Sequence, residues 1–298
     1  MPKIIIRGVI PAVLTPFSQD GSFVDEEALS THVEWLVNRG VHGLFICGTN
    51  GEGPLLAVAE RKRVTGVVVA QVRGRVPVLV QSGGITTDET IAATRLARAA
   101  GADGAAVVTP WYYAYDDLSL FEHYSAVASA VPDLPIFLYN IPSHARNEIK
   151  PALAARLMET HENIVGVKDS SKDLNRTEEF VDGLGAGHPV LVGTDSLVLA
   201  ALSIGAAGAV AGVANVFPES MVALYDAYQS GDYAQARRLQ SRVSALRAAM
   251  KGPAGVMLYK KALEFRGLKA GGPRRPARPA TEAETVGLLE RLRGFGVL

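Results

Sequence analysis

The chain has 298 residues, of which 48% are hydrophobic and 20% are charged, a composition typical of a folded protein with a sizeable core. Its 30 basic and 30 acidic side chains cancel, so no overall field favours nucleic acid or an anionic membrane as a partner. No apolar run is long enough for a signal peptide or a membrane span. The single cysteine, Cys47, excludes an intrachain disulfide, and we expect a cytoplasmic protein.

Short segments rich in Val, Ile and Phe alternate with longer amphipathic stretches. The short segments predict eight strands, at residues 8–14, 43–47, 76–80, 104–108, 135–139, 164–167, 189–192 and 208–213. The stretches between them predict helices, among them residues 25–39, 57–72, 87–99, 119–131 and 151–158. Continuous apolar strands indicate burial on both faces, as in parallel sheets covered by helices. The pattern predicts an α/β fold, a (β/α)8 TIM barrel.

The division of the chain follows from where the strands stop. We predict a barrel over residues 1–215 and a C-terminal helical extension, packed on the barrel, over residues 216–298. An open doubly wound sheet is the alternative, but residues 48–54 lack the GxGxxG order that such a fold should show. The proline-rich segment 273–279 carries three arginines and indicates a surface connector or subunit contact rather than a nucleic-acid site.

Catalytic groups of such a barrel lie at the C-terminal ends of its strands, where Lys168 is the one lysine. Side chains alternate along a strand, so we expect Lys168 to point inward with Ile164 and Gly166, and Gly166 to leave space beneath it. Burial would lower the pKa of the amine and make it a nucleophile for a carbonyl carbon. The alternative is a lysine that reaches solvent and pairs with Asp169.

Two further strand-end features have functional and structural interpretations. Tyr139 should point inward beside Lys168 and could relay protons, or it could be a core tyrosine with a satisfied hydroxyl. Residues 48–51, Gly-Thr-Asn-Gly, could bind a carboxylate through side chains and backbone N–H groups, or could form only a turn. The six histidines are scattered without the paired spacing of a metal site, so we expect no metal.

Several motifs in a fixed order carry a family resemblance. They are Pro11-Ala12-Val13-Leu14-Thr15-Pro16-Phe17, Gly48-Thr49-Asn50-Gly51-Glu52, Val107-Val108-Thr109-Pro110-Trp111-Tyr112, Leu138-Tyr139-Asn140-Ile141-Pro142 and Val165-Gly166-Val167-Lys168-Asp169-Ser170. From about Val9 to the C-terminus the chain resembles the dihydrodipicolinate synthase and N-acetylneuraminate lyase superfamily of class I, pyruvate-dependent aldolases.

The resemblance implies a role for individual residues. Lys168 matches the lysine that forms a Schiff base with pyruvate, so a covalent imine and no separate cofactor is expected, and Tyr139 matches the proton-shuttling tyrosine. Gly48, Thr49 and Asn50 fall on the loop whose polar pair binds the pyruvate carboxylate. The backbone carbonyl of Val210 would line the pocket. Tyr112 matches a tyrosine contributed across a subunit interface, which implies a homotetramer built as a dimer of dimers.

The sequence differs from the synthases at a position that binds the substrate, because the synthases carry an arginine where this chain has His144. Histidine cannot supply a permanent bidentate cation for the carboxylate of aspartate semialdehyde, although Arg146 lies nearby. Gly193 and Asp195 offer polar groups for sugar-acid hydroxyls, and Asp195 could instead only cap a helix. We therefore expect a lyase that cleaves or condenses a 2-oxo-4-hydroxy acid, such as a 2-keto-3-deoxy sugar acid, to pyruvate plus an aldehyde. Dihydrodipicolinate synthase, a deoxy sugar acid dehydratase and a non-enzymatic 2-oxo acid sensor are the alternatives.

Overall fold

A computed structural model describes residues 6–296 of the chain. Its parallel strands are β1 (Gly8–Pro11), β2 (Leu44–Ile46), β3 (Val78–Gln81), β4 (Gly104–Val108), β5 (Ile136–Asn140), β6 (Ile164–Asp169), β7 (Val190–Val192) and β8 (Gly208–Ala211). From β2 to β8 each strand pairs with the next along the chain, and β1 pairs with β8. A parallel bridge between Ala12 and Phe45 joins the remaining edges, beyond β1 and in β2. The predicted (β/α)8 barrel is confirmed.

Helices lie between the strands and after the last one. They are α1 (Glu26–Val37), α2 (Val58–Val72), α3 (Thr87–Ala99), α4 (Asp117–Ala130), α5 (Pro142–Ala145), α6 (Pro151–Thr160), α7 (Leu174–Leu184), α8 (Val198–Ser203), α9 (Pro218–Gln229), α10 (Tyr233–Ala249), α11 (Val256–Phe265) and α12 (Glu282–Arg293). Local sequence sets several starts: the Asp25 side chain accepts from the Ala28 N–H, and Thr86 forms a capping box with Glu89. These caps fix where α1 and α3 begin.

The barrel interior is filled by large side chains, as expected when alternate residues of every strand point inward. Phe45 and Phe137 are fully buried there, and they form the apolar base above which Lys168 and Tyr139 lie. The opposite strand faces pack against the surrounding helices. The aromatic base determines how far into the barrel a polar group can reach.

The alternation predicted for β6 is wrong at its first half. Ile164 packs outside the barrel with Val167, whereas Val165 packs against the interior cluster. The cause is a register shift between β5 and β6, where Phe137 pairs with Gly166. The space expected beneath Lys168 is also absent, because a Cβ on Gly166 would stand 2.6 Å from a ring carbon of Phe137.

The C-terminal helices share one apolar cluster with β7, β8 and α8. Helix α9 packs against β1, and α10 packs against α9 and the turn after β7. The division of the chain at residue 215 stays a prediction. In the proline-rich segment, Arg274 forms a bidentate ion pair with Glu60, and Arg278 pairs with Glu284. These two arginines are engaged with neighbouring carboxylates and do not form a free basic patch.

Within residues 6–296, every helix is too short or too polar to cross a bilayer. The expectation that the N-terminus carries no signal peptide concerns residues 1–5, which lie outside the described part of the chain.

Candidate active site

Lys168 lies inside the mouth of the barrel and is 5% exposed. Its Nζ lies 3.6 Å from the centre of the Tyr139 ring and 3.8 Å from that of Phe45. Asp169 points the other way, because its carboxylate accepts from Asn140 Nδ2 at 2.9 Å and from Thr177 Oγ1 at 2.9 Å. The alternative in which Lys168 reaches solvent and pairs with Asp169 is therefore inconsistent with the structure.

Burial lowers the pKa of the Lys168 amine well below its usual value of 10.5. Within residues 6–296, its Nζ forms no ion pair with a carboxylate that would offset the loss of hydration. The amine is thus available in its neutral, nucleophilic form at lower pH than an exposed lysine.

Tyr139 is the register partner of Lys168 on β5 and is also buried. Its Oη lies 3.4 Å from Thr49 Oγ1. Burial raises the pKa of the phenol, and hydrogen bonds with Thr49 and Ser170 oppose that rise. A phenol held beside the amine in a polar network can accept and return a proton at Oη.

The loop after β2 owes its shape to small residues and close backbone contacts. Thr15 Oγ1 donates to the Gly51 carbonyl at 2.7 Å, and the Gly53 N–H donates to the Gly48 carbonyl at 3.0 Å. A Cβ on Gly53 would collide with the carbonyl of Cys47. The loop is therefore a packed turn that holds the side chains of its central residues over the barrel mouth.

A buried ion pair fixes this loop to the C-terminal helices. Glu52 Oε1 lies 2.6 Å from Lys260 Nζ of α11, with side chains 4% and 0% exposed. Lys260 also donates to the Gly272 carbonyl at 3.0 Å, and the Arg274 N–H donates to Glu52 Oε2 at 3.1 Å. The sequence did not predict this pair, because its pattern assigns Lys260 only to a helix and Glu52 is distant in the chain.

Two adjacent cavities with shared lining residues lie around Tyr139 and His144. The polar one, of about 230 Å³, is lined by most of the predicted site residues, namely Lys168, Tyr139, Thr49, Asn50, Val210, His144, Gly193 and Asp195. The apolar one, of about 390 Å³, shares Thr49, Tyr139, Ile141 and His144 with it and is otherwise lined mainly by Pro54, Leu55, Val108, Trp111, Ala145, Val256 and Ala277. A substrate in the first cavity would extend towards the second.

Two predicted site residues lie outside both cavities. Gly48 allows the loop to pack closely against the Phe45 ring, because a Cβ at this position would overlap the ring. Tyr112 is 71% exposed, has a left-handed backbone with φ of 83° and stacks edge-on against Tyr113. Within one copy of the chain, Tyr112 is therefore separate from Lys168.

His144 lies at the junction of the two cavities on α5, where it is exposed and its Nδ1 lies 3.0 Å from Ser143 Oγ. Arg146 follows α5 with a left-handed φ of 64°, and its exposed side chain lines neither cavity. The loop therefore presents an imidazole and not a guanidinium to a bound substrate.

The far wall of the polar cavity contains Asp195, which was predicted at the site, and two residues to which the sequence assigned no role, Arg247 and Tyr259. Asp195 is buried in the turn after β7, where its Oδ1 accepts from the Val213 N–H at 2.9 Å. Arg247 of α10 approaches its Oδ2 with Nε at 3.6 Å, and Tyr259 of α11 lines the same wall. The sequence pattern identifies Arg247 and Tyr259 only as helix residues, because their position at the site depends on tertiary packing.

Among residues 6–296, no three His, Cys, Asp or Glu side chains are grouped in a way that could hold a metal ion.

Comparison with known proteins identifies the family. The model of the dihydrodipicolinate synthetase family matches residues 5–293. An uncharacterized DapA-like lyase of Halobacterium salinarum is 44% identical over 299 residues, which cover 98% of this chain and 95% of that protein. A 4-hydroxy-tetrahydrodipicolinate synthase of Methanopyrus kandleri is 39% identical over 294 residues, covering 98% and 97%.

Solved structures agree with the sequence comparison. The Escherichia coli K12 prophage protein YagE, solved in complex with pyruvate, matches with a TM-score of 0.94 at 30% identity, over 99% of this chain and 100% of that one. The dihydrodipicolinate synthase of Aquifex aeolicus matches with a TM-score of 0.92 at 34% identity, over 98% and 99%. The chain therefore belongs to the dihydrodipicolinate synthetase family and is a class I, Schiff-base, pyruvate-dependent lyase.

Proposed function

We propose that the enzyme cleaves a 2-oxo-4-hydroxy acid, such as a 2-keto-3-deoxy sugar acid, to pyruvate and an aldehyde, or condenses the two. The observation that carries the proposal is the buried Lys168 amine beside Tyr139, with a pKa lowered by burial, in a cavity where His144 replaces the synthase arginine. The complex of YagE with pyruvate supports pyruvate as the covalently held half.

The residues account for each step of the cleavage. Lys168 Nζ attacks the C2 carbonyl carbon, and Tyr139 Oη gives its proton to the departing hydroxide, so that water leaves, a protonated imine remains and Tyr139 becomes a phenolate; no separate cofactor is needed. The protonated imine accepts the electron pair of the breaking C3–C4 bond while Tyr139 Oη takes the proton of the C4 hydroxyl. Protonation of the enamine at C3 and hydrolysis of the imine release pyruvate and restore the amine.

The remaining residues bind the two ends of the substrate. We assign the carboxylate next to C2 to Thr49 and Asn50, which line the cavity of Lys168, together with the backbone around Gly48. Val210 lines the same cavity as Lys168, and we assign its backbone carbonyl to the wall of the pyruvate site. The Gly193 N–H donates to the Asp169 carbonyl at 2.6 Å, so this turn is rigid where it meets the aldehyde half of the substrate.

We also propose that the enzyme is a homotetramer built as a dimer of dimers, and Tyr112 supports this proposal. A largely exposed tyrosine next to Trp111, which lines the apolar cavity, is poorly explained in a single copy. We assign its role to the cavity of a second copy, where its ring would cover apolar surface and its hydroxyl would approach Tyr139.

A second candidate reaction is the synthesis of 4-hydroxy-tetrahydrodipicolinate from pyruvate and aspartate semialdehyde. It is favoured by the names of several relatives at 35–39% identity. Against it stands His144, which offers no permanent cation for a second carboxylate. Dehydration of a deoxy sugar acid begins from the same imine and differs only in which bond breaks next.

The test is a panel of 2-oxo acids in which released pyruvate is measured. Release of pyruvate and an aldehyde from a 2-keto-3-deoxy sugar acid is the expected result. Consumption of aspartate semialdehyde with pyruvate, at a higher kcat/KM than any sugar acid, would overturn the ranking. Loss of the sugar acid with water elimination and no pyruvate would establish the dehydratase.

A further inference from the structure

The wall of the polar cavity built by the C-terminal helices has no part in the imine chemistry described above. Arg247 lies in the last turn of α10 and Tyr259 lies in α11, and both line the cavity that holds Lys168. Between them, Asp195 points one carboxylate oxygen at the Val213 N–H and leaves the other beside Arg247. The wall therefore combines one acceptor with two donor side chains.

The donors of this wall are incompletely used. A guanidinium carries five N–H groups, and no residue within 6–296 accepts a hydrogen bond from that of Arg247. The turn that carries Asp195 is itself held, because Gln240 Nε2 donates to the Asp195 carbonyl at 2.9 Å. A rigid acceptor beside free donors is the arrangement that binds hydroxyl groups, each of which donates once and accepts.

The charges of the wall indicate an uncharged ligand. Asp195 offsets the charge of Arg247 at 3.6 Å and would repel a phosphate or carboxylate placed between them. Lys172 also lines the cavity, but it is exposed and lies on the loop after β6, so it does not belong to this wall.

We propose that Arg247 and Tyr259, together with Asp195, form the subsite for the hydroxyl groups of the aldehyde half and set the preference for an uncharged polyhydroxylated chain. This inference rests on the proposed aldolase function. It assigns substrate specificity to the C-terminal helices, which contribute neither the Schiff-base lysine nor Tyr139.

The experiment compares two aldehydes in condensation with pyruvate: glyceraldehyde, which carries hydroxyls, and propanal, which has none. Arg247→Met should raise the KM for glyceraldehyde roughly 10–100-fold, the loss expected for hydrogen bonds from a charged donor. Tyr259→Phe should raise it by about 2–10-fold. The KM for propanal and the pyruvate concentration needed for borohydride trapping should hardly change. Arg237→Met, on the exposed face of α10, is the matched control.

The outcomes separate the two proposals. A wild-type enzyme that traps pyruvate but condenses it with neither aldehyde contradicts the aldolase function itself. Two results with an active enzyme would overturn only the subsite. The first is a preference for glyceraldehyde that survives both Arg247→Met and Tyr259→Phe, and the second is an equal rise of the KM values for both aldehydes. A wild-type preference for glyceraldehyde 3-phosphate would also overturn it. If Arg247→Met does not fold, Tyr259→Phe and Arg247→Lys give the same comparison.

Discussion

At the scale of single residues, periodicity and fold class predicted that Lys168 lies at the end of a strand. They also predicted that Tyr139 lies on the neighbouring strand. The surroundings of Lys168 could not be predicted. The register shift in β6 moved Ile164 out of the barrel, and the Phe137 ring took the space expected below Gly166. Alternation assumes a regular strand, and a bulge depends on packing that a single strand does not encode.

The burial of Lys168 predicts a stability cost with a definite pH dependence. Because its pKa is lowered in the folded state, the unfolded chain binds the proton more readily between that lowered pKa and 10.5, so stability rises with pH there. Lys168→Met should therefore raise Tm at neutral pH, by about 2–4 °C for each kcal/mol of desolvation removed. Thermal unfolding at several pH values measures this. The advantage should shrink as the pH approaches 10.5, and a variant less stable at every pH would contradict the argument.

Tyr139→Phe separates imine formation from proton transfer. The variant keeps the ring that packs over Lys168 and loses only the hydroxyl near Thr49. We expect kcat for cleavage to fall by about 10²–10⁴-fold, the usual contribution of a positioned acid–base group. Borohydride trapping of pyruvate at equilibrium should remain possible. Full kcat in the variant, measured by pyruvate release, would exclude Tyr139 as the proton carrier.

At the scale of elements, the active-site loop depends on contacts made by α11. Removing one partner of a buried ion pair leaves the other charge uncompensated, at a cost of about 3–5 kcal/mol. Lys260→Met should lower the free energy of unfolding by about that amount and raise the KM for pyruvate, because Glu52 belongs to the loop that carries Thr49. Urea denaturation and pyruvate-dependent kinetics measure the two effects.

The neighbouring Lys261 provides the matched control for that variant, since it pairs with Glu264 at the helix surface. Lys261→Met should leave both measurements almost unchanged. The double variant Glu52→Gln with Lys260→Met should lose less stability than the sum of the single variants. Additive losses would show that the two side chains do not act as a pair.

The elements themselves were largely readable from the sequence. Helix α3 begins and ends at the predicted residues, because the capping box fixes its start and apolar residues at helical spacing run along its length. Strand β1, predicted over residues 8–14, is shorter because its ladder with β8 ends at Pro11 and Ala12 then bridges to Phe45 of β2. What the pattern could not show is which helices reach the site, since Arg247 and Lys260 look like ordinary helix residues.

At the scale of the whole molecule, the exposed Tyr112 predicts an active site completed by a second copy. Copies carrying Lys168→Ala and copies carrying Tyr112→Ala should each be inactive or strongly impaired alone. Mixed oligomers should regain activity, because some sites then combine an intact lysine with an intact tyrosine from the neighbour. Refolding the two variants together and measuring pyruvate release tests this. Light scattering should report four copies, and no recovery on mixing would contradict the shared site.

The central claim is that Lys168 forms an imine with pyruvate. The most direct measurement is incubation with pyruvate and borohydride, followed by mass spectrometry of the intact chain and of its peptides. The account predicts one reduced pyruvyl group per chain, attached to Lys168 and absent from Lys168→Ala. An unmodified chain, or an adduct carried by Lys260 or Lys172 with Lys168 free, would contradict it.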